Sequence, residues 1–194
     1  MITASDISAA ADVLRWGGLV VFPTETVYGI ACDAKNIAAV ERVFEIKHRE
    51  RGKALPIQVA SPTLLSTVAR DISSEALALA EKYMPGPVTL VLRKNPDIPD
   101  IVTGGMDTVG VRVPDHPAAL ALLEAFGGPI VATSANLSGE NPATNAVDAM
   151  KALGTKVDFY LDGGECPGGV PSTVADCTKT PFAVLRQGAL KIEL

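Results

Sequence analysis

Short apolar runs alternate with amphipathic stretches along this chain, and that order limits the folds it can adopt. The strand-like runs lie at residues 19–22, 54–60, 88–93, 108–113, 129–135, 157–161, 172–177 and 182–186. The helical patterns lie at residues 6–16, 73–84, 116–126 and 145–153, with a further helix after residue 36. Strands that alternate with helices pack as a sheet covered by helices. The 194 residues are therefore predicted to form one α/β domain over 1–194, with an open, twisted, mixed sheet and flanking helices.

Capping residues predict where several helical segments begin. Ser5 is expected to cap the first helix and Asn36 the second. Ser61 precedes a proline at the first position of another helical turn, and His116 is interpreted as the cap of the helix at 116–126. Four residues of the second helix are predicted to face the core: Ile37, Val40, Val43 and Phe44.

The composition narrows the classes of function. A net charge of −5 argues against a general nucleic-acid binder, so any anion site must be a local basic patch. No apolar run approaches the roughly 20 residues that span a bilayer, and the first ten residues lack the pattern of a signal peptide. Cys32, Cys166 and Cys177 show no CxxC spacing. Three such cysteines favour buried or bystander thiols in a reducing compartment, so a cytoplasmic location is expected.

Polar side chains follow the first buried strand in "FPTETVYGIACD", residues 22–33. A plain turn at this point would use Gly, Asn or Asp, and Thr-Glu-Thr is poor turn chemistry. We therefore expect Thr24, Glu25 or Thr26 to be directed at another group.

A basic cluster, "KHRERGK", spans residues 47–53 and follows the end of a helix. Four cations, Lys47, Arg49, Arg51 and Lys53, stand against one carboxylate, which gives a formal charge of +3. One interpretation is a solvated loop. The other is an anion clamp, because the planar guanidinium of arginine grips phosphate through two hydrogen bonds.

Arg112 lies within a predicted strand in "GVRVPDHP", residues 110–117, between Val111 and Val113. Its side chain should point away from those of its two neighbours. If both faces of the strand are covered, the arginine needs a carboxylate or a ligand, because an unpaired buried charge is costly. An internal ion pair, an exposed face and ligand binding all remain open at this point.

Two loops beside predicted strands carry small polar residues. "VATSANLSGENPAT" (131–144) ends a strand in hydroxyl and amide side chains, and "GGECPGGVPSTVADC" (163–177) places four glycines before a Ser-Thr pair. Both patterns suit ligand recognition at a sheet edge, and both are also common in surface loops. The motifs GxxxxGK[ST], GxGxxG, HExxH and GxSxG are absent, and two histidines give little support to a His-based triad.

Six stretches, taken in this order, resemble one family, the YrdC-like threonylcarbamoyl-AMP synthases. They are "FPTETVYGIACDA", "KHRERGKALPI", "VGVRVPDHP", "TSANLSGENPAT", "PSTVADC" and "LRQGAL", and the similarity covers about residues 10–190. The resemblance implies an α/β fold with a basic concave face. It also implies a nucleotidyltransferase that joins L-threonine, bicarbonate and ATP into threonylcarbamoyl-AMP and releases pyrophosphate. The product would reach tRNA through a downstream threonylcarbamoyl transferase complex and modify the adenosine next to the anticodon.

The resemblance also implies roles for individual residues. The residues expected to bind L-threonine are Thr26, Gln58, Arg112, Ser134 and Ser172. Those expected to bind ATP are Arg49, Lys53, Thr108, Asn136, Thr144 and Arg186. Lys47 and Arg49 are expected to act in catalysis. Mg²⁺ is expected to arrive with ATP, without an assigned protein ligand.

The chain departs from the family pattern at three places. Gln58 stands where a histidine is frequent, and Lys53 stands where an asparagine is frequent. Glutamine can form hydrogen bonds but cannot act as a general base. The sequence ends soon after Arg186, so the C-terminal domain of longer members is expected to be absent.

Three other functions remain open. One is a domain that makes carbamoyl-AMP from carbamoyl phosphate for hydrogenase maturation, although its zinc-finger and acylphosphatase neighbours are not in this sequence. Another is a module that binds double-stranded RNA or tRNA on the basic concave face. The third is a YrdC-like protein with an unknown acceptor.

Overall fold

A computed structural model describes residues 2–193 as one sheet with helices on both faces. Its strands are β1 (Val20–Phe22), β2 (Gly29–Asp33), β3 (Ile57–Gln58), β4 (Ala69–Arg70), β5 (Val88–Lys94), β6 (Thr108–Arg112), β7 (Ile130–Ser134), β8 (Phe159–Tyr160), β9 (Thr173–Asp176) and β10 (Ala183–Arg186). Its α-helices are α1 (Ala4–Arg15), α2 (Ile37–Ile46), α3 (Ser74–Tyr83), α4 (Asp100–Thr103), α5 (Pro117–Phe126) and α6 (Ala146–Leu153). Two 3₁₀ turns span Pro62–Thr67 and Gly154–Lys156.

The strand pairing confirms the predicted mixed α/β sheet. The order is β10-β9-β5-β6-β3-β7-β2-β1-β8, and β4 pairs with β5 beside this path. β1 runs parallel to β8, β3 to β6 and β5 to β9, and the remaining pairs are antiparallel. Gly29 pairs with Ser134, so the polar turn before β2 and the polar end of β7 meet at the same end of the sheet.

Each face of the sheet buries its own apolar cluster, because successive side chains of a strand point to opposite faces. Val20 and Phe22 of β1 pack under α1 and α5, whereas Val21 belongs to the larger cluster under α2, α3 and α6. Ile130 and Val131 of β7 divide between the two faces in the same way.

Helices α1 and α5 cover only part of their face. The cluster beneath them takes its strand residues from β1, β2 and β7. Gln58 of β3 lies opposite Ile130 of β7 and beside Arg112 of β6, so both polar side chains point to the α5 face. There the sheet borders a cavity and not a helix.

Two helix caps are confirmed. Asn36 accepts a hydrogen bond from the Ala39 amide at 3.1 Å, and His116 Nδ1 accepts one from the Ala118 amide at 3.2 Å. The prediction of Ser5 as the first cap is wrong. Thr3 caps α1, because Thr3 and Asp6 form a reciprocal capping box, with the Thr3 amide donating to Asp6 Oδ2 at 2.8 Å.

Other predicted elements differ in length or environment. The strand expected at 54–60 contracts to β3, and β2 has no counterpart in the prediction. Ser61 precedes a 3₁₀ turn and makes no side-chain cap bond within residues 2–193. Ile37 is 58% exposed and does not face the core, because it stands at the first position of α2.

The expectation of buried thiols is confirmed, since Cys32, Cys166 and Cys177 are free and all buried. Burial raises the pKa of Cys177 to about 11. Across residues 2–193, no helix is long and apolar enough to cross a bilayer.

Candidate functional site

A cavity of about 500 Å³ lies on the open part of the α5 face. It brings together nine of the twelve residues that the sequence pointed to: Thr26, Arg49, Gln58, Thr108, Arg112, Ser134, Asn136, Ser172 and Arg186. These residues come from stretches far apart in the chain, and the sheet order gathers them. The predicted motifs therefore form one site.

Three predicted residues do not line this cavity. Lys47 is 1% exposed and its ammonium donates to backbone carbonyls. Lys53 points to solvent and pairs with Glu50 at 3.1 Å. Thr144 donates its hydroxyl hydrogen to Glu165 Oε1 at 2.7 Å. In this arrangement none of the three presents a polar group to the cavity.

The floor of the cavity is a row of side chains across five neighbouring strands. Gln58 on β3 lies beside Arg112 on β6, and the next strand, β5, carries Thr89. The Thr89 hydroxyl lies 2.9 Å from that of Ser172, which precedes β9. Arg186 of β10 then donates from Nη2 to the Ser172 carbonyl oxygen at 2.8 Å. Alternation along β3, β6 and β5 puts Gln58, Arg112 and Thr89 on one face and their apolar neighbours in the core.

Arg112 has an internal partner that the sequence did not assign. Its Nη2 lies 2.5 Å from Glu25 Oε1, and both side chains are largely buried. Apart from this ion pair, neither Glu25 carboxylate oxygen has a hydrogen-bond partner among residues 2–193. Arg112 also donates from Nε to the Gly86 carbonyl at 3.2 Å and from Nη2 to Thr26 Oγ1 at 3.3 Å. Its Nη1 group makes none of these contacts, so it can donate to a ligand in the cavity.

The first polar turn is built by Thr24, which corrects the interpretation of Thr-Glu-Thr as poor turn chemistry. Thr24 Oγ1 donates to the Val27 carbonyl at 2.7 Å and accepts from the Thr26 and Val27 amides at 3.2 Å each. A side-chain hydroxyl can replace the usual turn residues in this way. The turn directs Thr26 toward Arg112 and the cavity.

Gln58 has an unsatisfied group aimed at the same site. The residue is 6% exposed and lines the cavity, and its Oε1 has no hydrogen-bond partner among residues 2–193. An unpaired buried acceptor costs about 1–3 kcal/mol. A ligand that donates a hydrogen bond to Gln58 Oε1 would remove this cost.

Two further arginines make part of the cavity cationic. Arg49 donates from Nη2 to the Ala54 carbonyl at 2.8 Å and from Nε to the Lys53 carbonyl at 3.2 Å, which fixes the guanidinium. Burial lowers the pKa of Arg49, because it disfavours the charged form. With Arg186, it gives fixed donors that suit phosphate oxygens.

Sequence reasoning missed the partner of Glu25 and the place of Thr89 in the site. Glu25 stood inside a motif that was singled out, but its alternation with two threonines gave no sign that it pairs with an arginine 87 positions later. Thr89 is the one hydroxyl in the apolar run "VTLVLR", and that polar position within a strand was the available signal.

The acidic groups in and around the cavity do not form a metal site. Glu140 is the acidic residue of its lining. Among residues 2–193, no group of three or more His, Cys, Asp or Glu side chains could hold a metal ion.

A second cavity, of about 700 Å³, lies at the N-terminal ends of α1 and α5. Its lining includes Ile2, Ile7, Pro117 and His116, and burial lowers the pKa of that imidazole. The lining residues include no lysine or arginine from the described part of the chain. This larger cavity therefore suits a polyanion less well than the cavity on the sheet.

Comparison with known proteins agrees with the geometry. The family model described as "Telomere recombination", for Sua5, YciO and YrdC proteins, matches residues 12–188. A threonylcarbamoyl-AMP synthase of Pyrococcus abyssi is 46% identical over 187 residues, which are 96% of this chain and 55% of that protein. A threonylcarbamoyl-AMP synthase of Vibrio cholerae is 35% identical over 190 residues, which are 97% of this chain and 100% of that protein.

A solved structure, P. abyssi Sua5 complexed with L-threonine, superposes with a TM-score of 0.94 at 45% identity. The alignment covers 97% of this chain and 55% of that one. The chain spans about half the length of the first two curated relatives that it matches. The model match over most of the sequence and the shared fold lead to one conclusion: the chain belongs to the Sua5/YciO/YrdC family.

Proposed function

We propose that this chain synthesises threonylcarbamoyl-AMP from L-threonine, bicarbonate and ATP and releases pyrophosphate. The observation that carries the proposal is the cavity on the α5 face, which brings Arg112 and Gln58 together with two further arginines, Arg49 and Arg186. The relatives named above that carry the name threonylcarbamoyl-AMP synthase support it.

The Arg112 end suits a zwitterionic amino acid. Glu25 offsets the charge of Arg112, so this end is close to neutral. In the proposed complex, Arg112 Nη1 donates to the threonine carboxylate while Gln58 Oε1 accepts from its ammonium or hydroxyl group. Thr26, Ser134 and Ser172 supply hydroxyl groups around it. Losing a buried hydrogen-bond partner is costly, so such a site selects ligands that carry these groups.

The end with Arg49 and Arg186 suits the triphosphate of ATP, and Thr108 adds a hydroxyl group to the same cavity. Asn136 would need to exchange partners to contact ATP, because its Nδ2 donates to the Leu137 and Glu140 carbonyls at 2.8 Å each. Lys53 and Thr144 reach ATP only if their side chains turn from their present partners, Glu50 and Glu165. Mg²⁺ bound by the phosphates would neutralise the part of their negative charge that the arginines do not.

The chemistry requires positioning and charge neutralisation. The threonine amine attacks CO₂ derived from bicarbonate and forms a carbamate. A carbamate oxygen then attacks the α-phosphorus of ATP, and the bond to the bridging oxygen of the β-phosphate breaks, so pyrophosphate leaves. Fixed donors on the phosphates stabilise the charge that develops in such an in-line displacement. A cavity of arginine, hydroxyl and amide groups is suited to this reaction. Within it, Arg49 is the residue that we assign to catalysis.

The proposed product is an activated intermediate for the modification of tRNA. A separate threonylcarbamoyl transferase would receive it, and a direct contact of this chain with tRNA remains part of the proposal. We also propose a cytoplasmic location, because the product would serve the modification of tRNA.

The experiment is a pyrophosphate-release assay with purified protein, ATP, Mg²⁺, bicarbonate and each of the twenty amino acids in turn. The proposal expects release that depends on both bicarbonate and threonine, with weaker release for serine. Release that does not depend on an amino acid, or that prefers carbamoyl phosphate as the carbon source, would contradict it.

A further inference from the structure

Lys47 has an unusual environment for a lysine. It is 1% exposed, although lysine is rarely fully buried without a charged partner. Its Nζ donates to the carbonyl oxygens of Ser134 and Asn136 at 2.5 and 2.6 Å and lies 3.5 Å from Asn136 Oδ1. It forms no ion pair with any carboxylate of residues 2–193. The buried charge is therefore offset by backbone and amide dipoles alone.

The backbone of Lys47 holds the same segment, residues 134–138. Its carbonyl oxygen accepts a hydrogen bond from the Ser138 amide at 2.9 Å. The segment is thus tied to residue 47 at its start, its middle and its end. Because Ser134 and Asn136 line the cavity, a shift of Lys47 would move cavity groups.

The next residues turn the chain back toward the cavity. His48 has a left-handed backbone with φ of 49°, which a non-glycine residue seldom adopts. Arg49 then lines the cavity, while Lys47 stays beneath it. The turn at His48 therefore separates the two cations, with one in the cavity and the other buried below it.

We propose that Lys47 is a positioning residue of the nucleotide-binding end, which holds the 134–138 segment and supplies positive charge beneath the cavity without touching the substrate. The inference rests on the proposed function, since it takes ATP as the anion that this charge favours. It reassigns Lys47 from the catalytic role that the family resemblance implied.

Electrostatics gives this role a signature. Burial, and then the charge of Arg49, lower the pKa of Lys47 to about 8. A bound polyanion favours the charged ammonium and raises that pKa. The ATP affinity of the protein should therefore be highest below about pH 8 and decline as the pH rises above it. Binding near pH 8 should take up as much as about half a proton.

The test has a part without ligand and a part with ATP. In the first part, the ¹H–¹⁵N spectrum of the free protein is followed for the amides of residues 134–138 from about pH 7 to 10, in the wild type and in Lys47→Met. The matched control is Lys151→Met, which removes a lysine on α6 whose ammonium is paired with Asp148 at 2.8 Å. We expect a shared titration step of these amides in the wild type and the control, and no such step in Lys47→Met.

In the second part, calorimetry in two buffers of different ionisation enthalpy measures ATP affinity and proton uptake. Lys47→Met should weaken ATP binding by about tenfold or more, since carbonyls of the segment lose a buried donor, and should abolish proton uptake. If Lys47→Met is poorly folded, the wild-type titration and proton uptake still decide the role.

Wild-type affinity in a folded Lys47→Met, combined with a loss of turnover alone, would overturn positioning and restore a catalytic role. Segment amides that do not titrate in the wild type would also overturn it. A protein that shows the titration step but binds no ATP would contradict the proposed function and not the link between Lys47 and the segment.

Discussion

Removal of the Arg112 guanidinium should cost both stability and threonine binding, and the two costs can be separated. Arg112→Ala leaves the Glu25 carboxylate buried without its 2.5 Å partner and without any hydrogen bond from residues 2–193. Breaking a buried ion pair by removing one partner costs about 3–5 kcal/mol. We therefore expect the free energy of unfolding of Arg112→Ala to fall by that amount.

A double variant separates the structural cost from the loss of the ligand contact. Arg112→Ala with Glu25→Gln no longer buries an unpaired charge, so most of the lost stability should return. Threonine binding should not return, because the cavity still lacks the group that we assign to its carboxylate.

The assays are urea unfolding followed by circular dichroism, and calorimetry with L-threonine and with threoninol. The wild type should bind threonine and not threoninol. An unchanged unfolding midpoint in Arg112→Ala would refute the importance of the ion pair. Threonine binding by the double variant, or equal binding of threonine and threoninol by the wild type, would refute Arg112 as the carboxylate ligand.

Three further predictions concern the cavity. Arg49→Ala should weaken ATP binding by about 2–5 kcal/mol in calorimetry. Arg51→Ala, which removes an exposed cation paired with Glu41, should leave ATP binding unchanged. Equal effects of the two variants would mean that ATP responds to the net positive charge and not to a clamp at Arg49. Gln58→Ala should raise the threonine KM, with a loss of binding free energy of ~1–3 kcal/mol. Gln58→His should bind threonine, with a new step in the pH dependence near the usual histidine pKa of about 6.5. Wild-type threonine binding by Gln58→Ala would put residue 58 outside the threonine site. Gly168→Ala should lower threonine affinity, because its Cβ would come within 2.5 Å of the Thr26 carbonyl oxygen. Gly52→Ala is the control, since its Cβ would have open space around it. Threonine titrations that give the same affinity for both variants would contradict this tight packing.

The fold could be predicted where a local signal decided it. The helix at 116–126 has a cap, a proline at its first position and a glycine stop, and the structure follows it closely as α5. Strand β2 was not predicted, because its pairing with β1 and β7 determines it and the hydrophobic pattern of its own sequence does not. Strand β3 is short because its ends are held by loop contacts, such as the Leu55 amide bonded to the Val102 carbonyl at 2.8 Å.

The site could be predicted as a set of residues but not as a set of contacts. The motifs pointed, through the family resemblance that they carry, to nine residues that line the cavity. They could not show that Lys47 turns inward while Arg49 turns outward, since both lie in one basic run and the division depends on the His48 turn. Nor could they pair Glu25 with Arg112, which only the sheet order brings together.

The central claim is that the carbon of bicarbonate enters an adenylate product together with threonine. Mass spectrometry of a reaction with ¹³C-bicarbonate tests this claim most directly. The protein, ATP, Mg²⁺ and L-threonine are incubated with labelled or unlabelled bicarbonate, and Arg49→Ala serves as the inactive control. We predict a product that contains AMP, threonine and one ¹³C atom, formed in step with pyrophosphate. Pyrophosphate with AMP alone, or a threonine adenylate without the labelled carbon, would contradict the account.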